Sequence, residues 1–298
     1  MSLGLWIRAT RPAFLSVTLV GVLLGLATAA HAQTFRSIPL AATTLLFALL
    51  AQAGANVIND YYDARSGCDA ANVDRIAPFT GGSRFIQDGL LSEAQTRLFG
   101  YTLLLLVIPA GVWLVAQSGL TLLWIGLIGL FCSWAYSAPP LKLQSRGLGE
   151  VAITLAWLMT VIGSAYVQSQ SLNATVIYAG LAYAPLVANV LFVNQVPDRI
   201  ADASVGKNTL IVRFGDSVTP LGSLLLYTFG CAALLIGILA QSLPVASLLT
   251  LVALFPASIA LRALFSGPTE PAQLKTAIPL TILSCLLFGA LLTTALLV

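Results

Sequence analysis

Charge is scarce in this chain. Of 298 residues, 14 are Lys or Arg and 11 are Asp or Glu, 8% in all, where a soluble domain carries about a quarter. That scarcity excludes a soluble globular protein. Histidine is nearly absent, with His31 alone, and the four cysteines (Cys68, Cys132, Cys231 and Cys285) are isolated, with neither a C-x-x-C pair nor a histidine at metal-binding spacing. Imidazole or thiolate metal sites and a Ser-His-Asp mechanism are therefore set aside, and the cysteines read as ordinary buried or loop thiols. The net charge is only +3, and neither a nucleic-acid partner nor an obligatory protein partner is expected. What is present is apolar: 58% of residues are hydrophobic. A mean hydropathy of +0.93 over the whole chain also excludes a soluble domain on a single anchor. The composition is that of a polytopic, all-α membrane protein.

Runs of about 20 apolar residues predict nine spans, at 14–32, 39–61, 98–117, 119–137, 149–168, 173–196, 220–240, 243–265 and 276–297, in one domain covering 1–298. Pro220 and Pro244 fall near helix starts, Ser92-Glu93-Ala94-Gln95 reads as a capping box, and Pro109, Pro185 and Pro256 predict kinks within spans. Arg8, Arg11, the apolar stretch from Phe14 and Ala30-His31-Ala32 imitate a signal peptide. That stretch exceeds a typical signal h-region, and an uncleaved first span is the expectation.

A charge in hydrocarbon costs several kcal/mol, so the placement of the few charges carries most of the information. With nine spans, Arg36 alone lies on one face, while the other 13 Lys/Arg and all 11 acids fall on the opposite one. The positive-inside rule makes that charged face cytoplasmic, as expected for a cell inner-membrane protein. Acids contribute little to topology, so eleven on one side point to a site.

Two clusters hold most of them. The second span ends in N56-VI-N59-D60-YY-D63-ARSGC-D69, where Asn56, Asn59, Asp60 and Asp63 share a helical face. The sixth ends in N194-QVP-D198-RIA-D202, with the same Asn-x-x-x-Asp pattern and a further Asp. Stacked like charges destabilise a helix unless a cation is bound or bases pair with them, and Arg65, Arg75 and Arg199 are candidate partners. Two matched clusters of hard oxygen donors at one interface favour Mg²⁺, a metal held by a few carboxylates plus substrate phosphate oxygens. Bases for a diphosphate lie in the neighbouring loops: T80-G81-G82-S83-R84, Y136-SAPPL-K142-LQS-R146 and G206-K207.

At these residues the chain resembles the UbiA superfamily of intramembrane prenyltransferases over nearly its whole length. Arg11-Pro12, N59-D60-YY-D63 with Asp69, YSAPPLK with R146-GLGE150, and D198-RIA-D202 match that family's motifs. The five residues between Asp63 and Asp69, and the run D202-ASV-G206-K207-N-T209-L-I-V-R213-F-G215, are most similar to the 1,4-dihydroxy-2-naphthoate polyprenyltransferases of menaquinone synthesis. Val196-Pro197 departs from the basic residue that several of those enzymes carry there. The resemblance implies a nine-helix bundle with a polar cavity on its cytoplasmic side, and Mg²⁺-dependent transfer of a prenyl group from prenyl diphosphate to an aromatic acceptor, with loss of CO₂ in the naphthoate case.

On that basis Asp63, Asp69, Asp198 and Asp202, with Asp60 secondary, are expected to hold metal. Asn59, Asn194, Arg84, Lys142, Arg146 and Lys207 are expected around the diphosphate, and Arg11, Asn56 and Tyr62 near substrate. Tyr61, Tyr62, Phe79, Trp134 and Tyr136 could shield an allyl cation, or equally form an interfacial belt, and Tyr136 and Lys142 join Asp63 and Asp198 as catalytic candidates. Other acceptors, such as 4-hydroxybenzoate or homogentisate, remain open. So does an ion-coupled transporter, although polar groups at one end of the spans, rather than at the midplane, count against it.

Overall fold

A computed structural model describes residues 3–298. The described residues are helical, in the order α1 (Leu3–Ala9), α2 (Pro12–His31), α3 (Ile38–Ser66), α4 (Cys68–Ala71), α5 (Glu93–Ser118), α6 (Thr121–Ala135), α7 (Gly149–Ser169), α8 (Ala174–Ser204), α9 (Leu210–Phe214), α10 (Thr219–Leu239), α11 (Leu254–Ser266) and α12 (Pro271–Leu297). Eight segments are long and apolar enough to cross a bilayer, and α6, with 15 residues, is a shorter apolar helix between two of them. The nine spans read from the sequence each find a helix.

Their differences from expectation have local causes. The segment at 243–265 is not one α-helix: a 3₁₀ stretch, Val245–Ala253, precedes α11. Pro256 therefore lies within the span Val245–Ser266 as expected, but at the junction of the two stretches, in the first turn of α11, where a proline is tolerated, and not in the middle of one continuous α-helix. Pro109 and Pro185 do lie within α5 and α8. Ser92 closes the capping box expected at α5, its side chain accepting from the Gln95 N–H while Gln95 bonds back to the Ser92 N–H.

The two helices that bear the acidic clusters outrun their predicted spans. α3 has 29 residues and α8 has 31, or about 44 and 46 Å at 1.5 Å per residue, against about 30 Å of hydrocarbon. Their C-terminal turns can thus carry carboxylates clear of the acyl chains without leaving the helix. α8 is the most buried span and packs against α7, α10, α12 and α2. Around it lies the core: Tyr183, Leu186, Leu234, Phe288 and Leu292 are all within 1% of full burial. Outward-facing side chains such as Leu105, Val112, Trp124, Leu225 and Phe255 are exposed and apolar, as a lipid-facing surface requires.

At the end of the bundle away from the acids, Arg36 donates to the carbonyls of Val167 (3.1 Å) and Gln117 (3.3 Å). Gln168, fully buried, accepts from the Arg36 and Ser37 N–H groups through Oε1 and donates to the Ser37 carbonyl, all at 2.9 Å. The one charge on that face is therefore tied to the turn that starts α3. Close packing of α2 on α7 depends on Gly25, where a Cβ would stand 2.3 Å from the Val161 carbonyl oxygen. Gly25→Val is expected to cost about 1–3 kcal/mol or more through forced helix separation, measured as a lowered thermal transition of the detergent-solubilised protein; an unchanged transition would contradict this packing.

Candidate functional site

The C-terminal turns of α3 and α8 converge, and a lysine stands between them. Lys207 Nζ lies 3.1 and 3.3 Å from the two oxygens of Asp63 and 3.2 Å from Asp202 Oδ1. The loop after α8 fixes this placement: the Lys207 N–H returns to the Asp202 carbonyl (2.9 Å), Gly206 takes φ +73°, and the Asn208 N–H bonds the Ser145 carbonyl (3.1 Å). Burial works against the charge on Lys207, but Asp63 and Asp202 outweigh it and hold the ammonium well above its ordinary pKa. The bases expected to pair with the acids do so elsewhere or not at all: Arg199 pairs with Asp216 at 3.2 Å, and Arg65 donates to the Tyr61 hydroxyl at 3.1 Å.

Around this bridge the side chains form a network of oxygen donors. Asn59 Nδ2 donates to Asp63 Oδ2 (3.0 Å) and Ser137 Oγ (3.1 Å), and Gln144 Nε2 to the same Ser137 Oγ (3.2 Å). Asn72 Nδ2 donates to Asp198 Oδ1 (2.6 Å), and the Cys68 thiol to Asp202 Oδ1 (2.9 Å). Gly82, at φ +72°, brings its backbone against Asp69, where a Cβ would stand 2.6 Å from Oδ2. This is the close approach that the Gly-Gly turn suggested.

Asp69 is buried from outside solvent, 4% exposed. Burial first, then the charges of Asp63 and Asp60, push its pKa up to about 7 against the pull of Arg11 and Lys207.

These residues line a cavity of about 170 Å³. Of the expected site residues, Arg11, Asn56, Asn59, Asp63, Asp69, Tyr136, Asn194, Asp198, Asp202 and Lys207 line it. Asp60 is turned away: it pairs with the Arg11 guanidinium and accepts from the Ser83 N–H at 3.2 Å, which makes it a support for Arg11 and the loop. Arg11 itself takes φ 54° directly before Pro12, a strained backbone that the ion pair offsets. Asn56 also ties down this segment, donating to the Thr10 carbonyl at 2.9 Å.

Arg84 reaches the Asp69 backbone carbonyl at 2.8 Å, shaping the loop. Lys142 and Arg146 are exposed outside the cavity, Arg146 bonded to the Pro140 carbonyl at 2.8 Å. Tyr62 faces α5, its hydroxyl 2.9 Å from that of Tyr101. The aromatic residues that do line the cavity are Phe14, Phe79, Tyr136 and Trp157, so the structure removes Tyr61, Tyr62 and Trp134 from that role.

Sequence reasoning missed Cys68, Asn72, Ser137 and Gln144. Asn72 lies three residues past Asp69 and continues its motif, a usable signal. Ser137 and Gln144 belong to a loop whose bases drew attention while its neutral donors do the contacting.

Apart from the thiols of Cys68 and Cys132, the donors around the cavity that suit a metal are oxygens, and the buried Oδ1 atoms of Asn72 and Asn194 have no hydrogen-bond partner. Unsatisfied buried acceptors beside carboxylates fit a hard cation. Among the described residues no three His, Cys, Asp or Glu side chains stand close enough to enclose an ion alone. Such a set fits Mg²⁺, which fills its shell with water and phosphate oxygens.

A second, mainly apolar cavity of about 270 Å³ adjoins the first and shares Gln52, Ser133, Ala156 and Trp157 with it. It runs between α3, α5, α6 and α7 as far as Leu114, Val115 and Val167. A polar, carboxylate-rich cavity thus adjoins an apolar groove within a helical membrane bundle, an arrangement that suits an intramembrane enzyme acting on a lipid with a charged head.

The chain belongs to the UbiA prenyltransferase family, whose model matches residues 15–282. It is 30% identical to a 1,4-dihydroxy-2-naphthoate octaprenyltransferase of Mycobacterium tuberculosis over 90% of this chain and 87% of that one. An enzyme of the same name from Escherichia coli is 30% identical over 71% and 68%. In fold it is similar to a UbiA homolog from Archaeoglobus fulgidus (TM-score 0.67, 17% identity, 98% of this chain and 99% of that one) and to that homolog bound to GPP and Mg²⁺ (TM-score 0.62, 16% identity, 98% and 99%). The protein is a membrane-embedded prenyltransferase.

Two outcomes test the electrostatics of the site. Lys207→Met leaves Asp63 and Asp202 facing each other uncompensated, a change of about 3–5 kcal/mol for a broken buried pair. The thermal transition should fall without divalent cations and recover substantially in Mg²⁺; equal loss in both conditions would contradict the bridge. Asp69 binds a proton when folded between its ordinary value of 3.8 and about 7, so without cations its contribution weakens folding as pH rises through that window. Asp69→Asn should flatten that slope and raise the cation-free transition at pH 8 while reducing Mg²⁺ stabilisation, read from melting curves at pH 5 to 8; an unchanged slope would contradict it.

Proposed function

We propose that this chain transfers a polyprenyl group from prenyl diphosphate to 1,4-dihydroxy-2-naphthoate in menaquinone biosynthesis. The reaction would occur at the cytoplasmic face of the cell inner membrane, within one domain spanning residues 1–298. The observation that carries this reading is the pair of matched Asn/Asp clusters at the ends of α3 and α8, lining one cavity beside an apolar groove. The relatives' names support the acceptor, and the near absence of charge from the opposite face supports the orientation.

Asp63, Asp69, Asp198 and Asp202 would hold Mg²⁺. Bound there, it would supply Lewis-acid stabilisation of diphosphate as a leaving group. The protein's own residues do the remaining work. Lys207, released from one or both carboxylates, places its ammonium beside the diphosphate, while Arg11 keeps a fixed positive charge at the cavity wall. Asn59 and Asn194 orient the head group through their amides.

As the C1–O bond stretches, Tyr136, Trp157, Phe14 and Phe79 present aromatic surface to the allyl cation, worth about 0.5–2 kcal/mol each. The apolar wall excludes water, so ring carbon is the nucleophile that reaches C1. A bond forms from C1 to the ring carbon that bears the carboxylate, diphosphate leaves with the C–O electron pair, and CO₂ departs while the pair of its bond to the ring restores aromaticity.

Purified protein assayed with Mg²⁺, prenyl diphosphate and a panel of dihydroxynaphthoate, 4-hydroxybenzoate and homogentisate should yield a decarboxylated prenylnaphthalene by mass. A product retaining the carboxylate would refute the naphthoate reading. Asp63→Ala and Asp198→Ala should each lower the rate by about 10³-fold or more, as for loss of preorganised charge, with the fold retained; near-normal turnover would refute the two-cluster site.

The groove carries its own test. Gly126 lines the apolar groove, and a Cβ there meets no atom within 4 Å, so Gly126→Phe can narrow the groove without moving backbone. It should leave turnover of a ten-carbon diphosphate within about threefold and lower that of a forty-carbon one at least tenfold, whereas equal effects on both would place the chain elsewhere.

A further inference from the structure

One buried acid has no part in the scheme above. Glu150, in the first turn of α7, is 7% exposed and does not line the cavity. Its Oε1 accepts from Gln195 Nε2 at 2.8 Å. Gln195 does line the cavity, is 8% exposed, and its other terminal atom, Oε1, is buried with no partner.

The two facts are linked by the chemistry of the amide. A carboxylate is an acceptor and would repel the amide oxygen, so Glu150 draws the NH₂ group to itself and leaves the carbonyl oxygen as the free end. A buried carbonyl without a donor costs about 1–3 kcal/mol, a state maintained where a ligand supplies the donor.

Position along α8 indicates the donor. Asp202, Asp198, Asn194 with Gln195, Leu191 and Val187 line the cavity in successive turns. Gln195 therefore stands about one turn, roughly 5 Å, deeper than the carboxylates of α8 and just before the wall becomes wholly apolar. A diphosphate and a hydrocarbon chain are both without O–H or N–H donors, so neither satisfies Gln195. An aromatic acceptor with a ring hydroxyl has the donor, at the level where its ring must meet C1.

We propose that Gln195 accepts the hydrogen bond of a ring hydroxyl of the aromatic acceptor, and that Glu150 is the positioning residue that keeps the amide oxygen turned toward it. This rests on the prenyltransferase reading above, and it selects phenol- or naphthol-type acceptors over their ethers.

The test is steady-state kinetics of the full chain in detergent, with Mg²⁺ and a prenyl diphosphate, varying dihydroxynaphthoate and then the diphosphate. Gln195→Met, close in size but without the acceptor, should raise KM for the acceptor about tenfold, the worth of one hydrogen bond, with KM for the diphosphate unchanged. Glu150→Gln, which can present either a donor or an acceptor to Gln195, should raise the acceptor KM in the same direction, add nothing in the Gln195→Met background, and be partly rescued by Glu150→Asp.

The wild type should discriminate against the acceptor's methyl ethers and Gln195→Met should lose that discrimination. An acceptor KM within twofold of wild type in Gln195→Met, or equal rises for both substrates, overturns the inference while leaving the transferase intact. Wild-type protein that prenylates no acceptor overturns the transferase reading itself, and the inference with it. If Glu150→Gln does not fold, Gln195→Met decides alone.

Discussion

Two helix ends rich in carboxylate can approach in a partly dehydrated setting only when positive charge lies between them. In this protein Lys207 provides that charge, bonded to Asp63 of α3 and Asp202 of α8. The rest of the site depends on that closure. It brings the loop after α8 against the Leu143–Arg146 turn through Asn208 and Ser145, and it sets Asn59, Ser137 and Gln144 in one hydrogen-bonded chain. A buried ion pair of this kind adds little net stability. What it supplies is a poised arrangement, and under the proposed function an incoming cation and diphosphate would take over the partners that lysine now holds.

The same closure separates two environments. Above it are oxygen donors and charge; beside it α3, α5, α6 and α7 line an apolar groove, partly open to the lipid side, that shares Ala156 and Trp157 with the site. A substrate with a diphosphate head and a hydrocarbon tail matches both halves, and membrane placement allows it to enter without exposing its tail to water. The lengths of α3 and α8 make this division possible, since each carries its apolar span and its acidic end on one rigid helix.

Much of this was legible in the sequence, for physical reasons that also explain the remainder. Charge is so costly in hydrocarbon that the acids could only mark an interface or a protected site, and the repeated Asn-x-x-x-Asp pattern identified Asp63, Asp69, Asp198 and Asp202 as its lining. Which base would meet them was less legible. Arg65 and Arg199 are closer to the acids in sequence than Lys207, and Lys142 and Arg146 lie in a neighbouring loop, but selection among them is made by loop geometry: the left-handed turn at Gly206 directs Lys207 inward, while Arg146 bonds its own loop.

Asp60 shows the same limit. It shares a helical face with Asp63, offset by only about 60° at a spacing of three residues, and it is the neighbouring Arg11 and Ser83 that take its oxygens. Neutral donors such as Ser137, Gln144 and Gln195 carry no cost signal in a sequence, so their roles emerge only when their partners are seen.

In the proposed site Asp63 with Asp69 would hold one cation and Asp198 with Asp202 another, both completed by the same diphosphate. Electron paramagnetic resonance of Mn²⁺, titrated into purified protein with and without a non-reactive prenyl diphosphate analogue, tests it most directly. Tight binding that requires the analogue and disappears in both Asp63→Asn and Asp198→Asn is the predicted result. Binding that is indifferent to the analogue, or that survives either substitution, would contradict it.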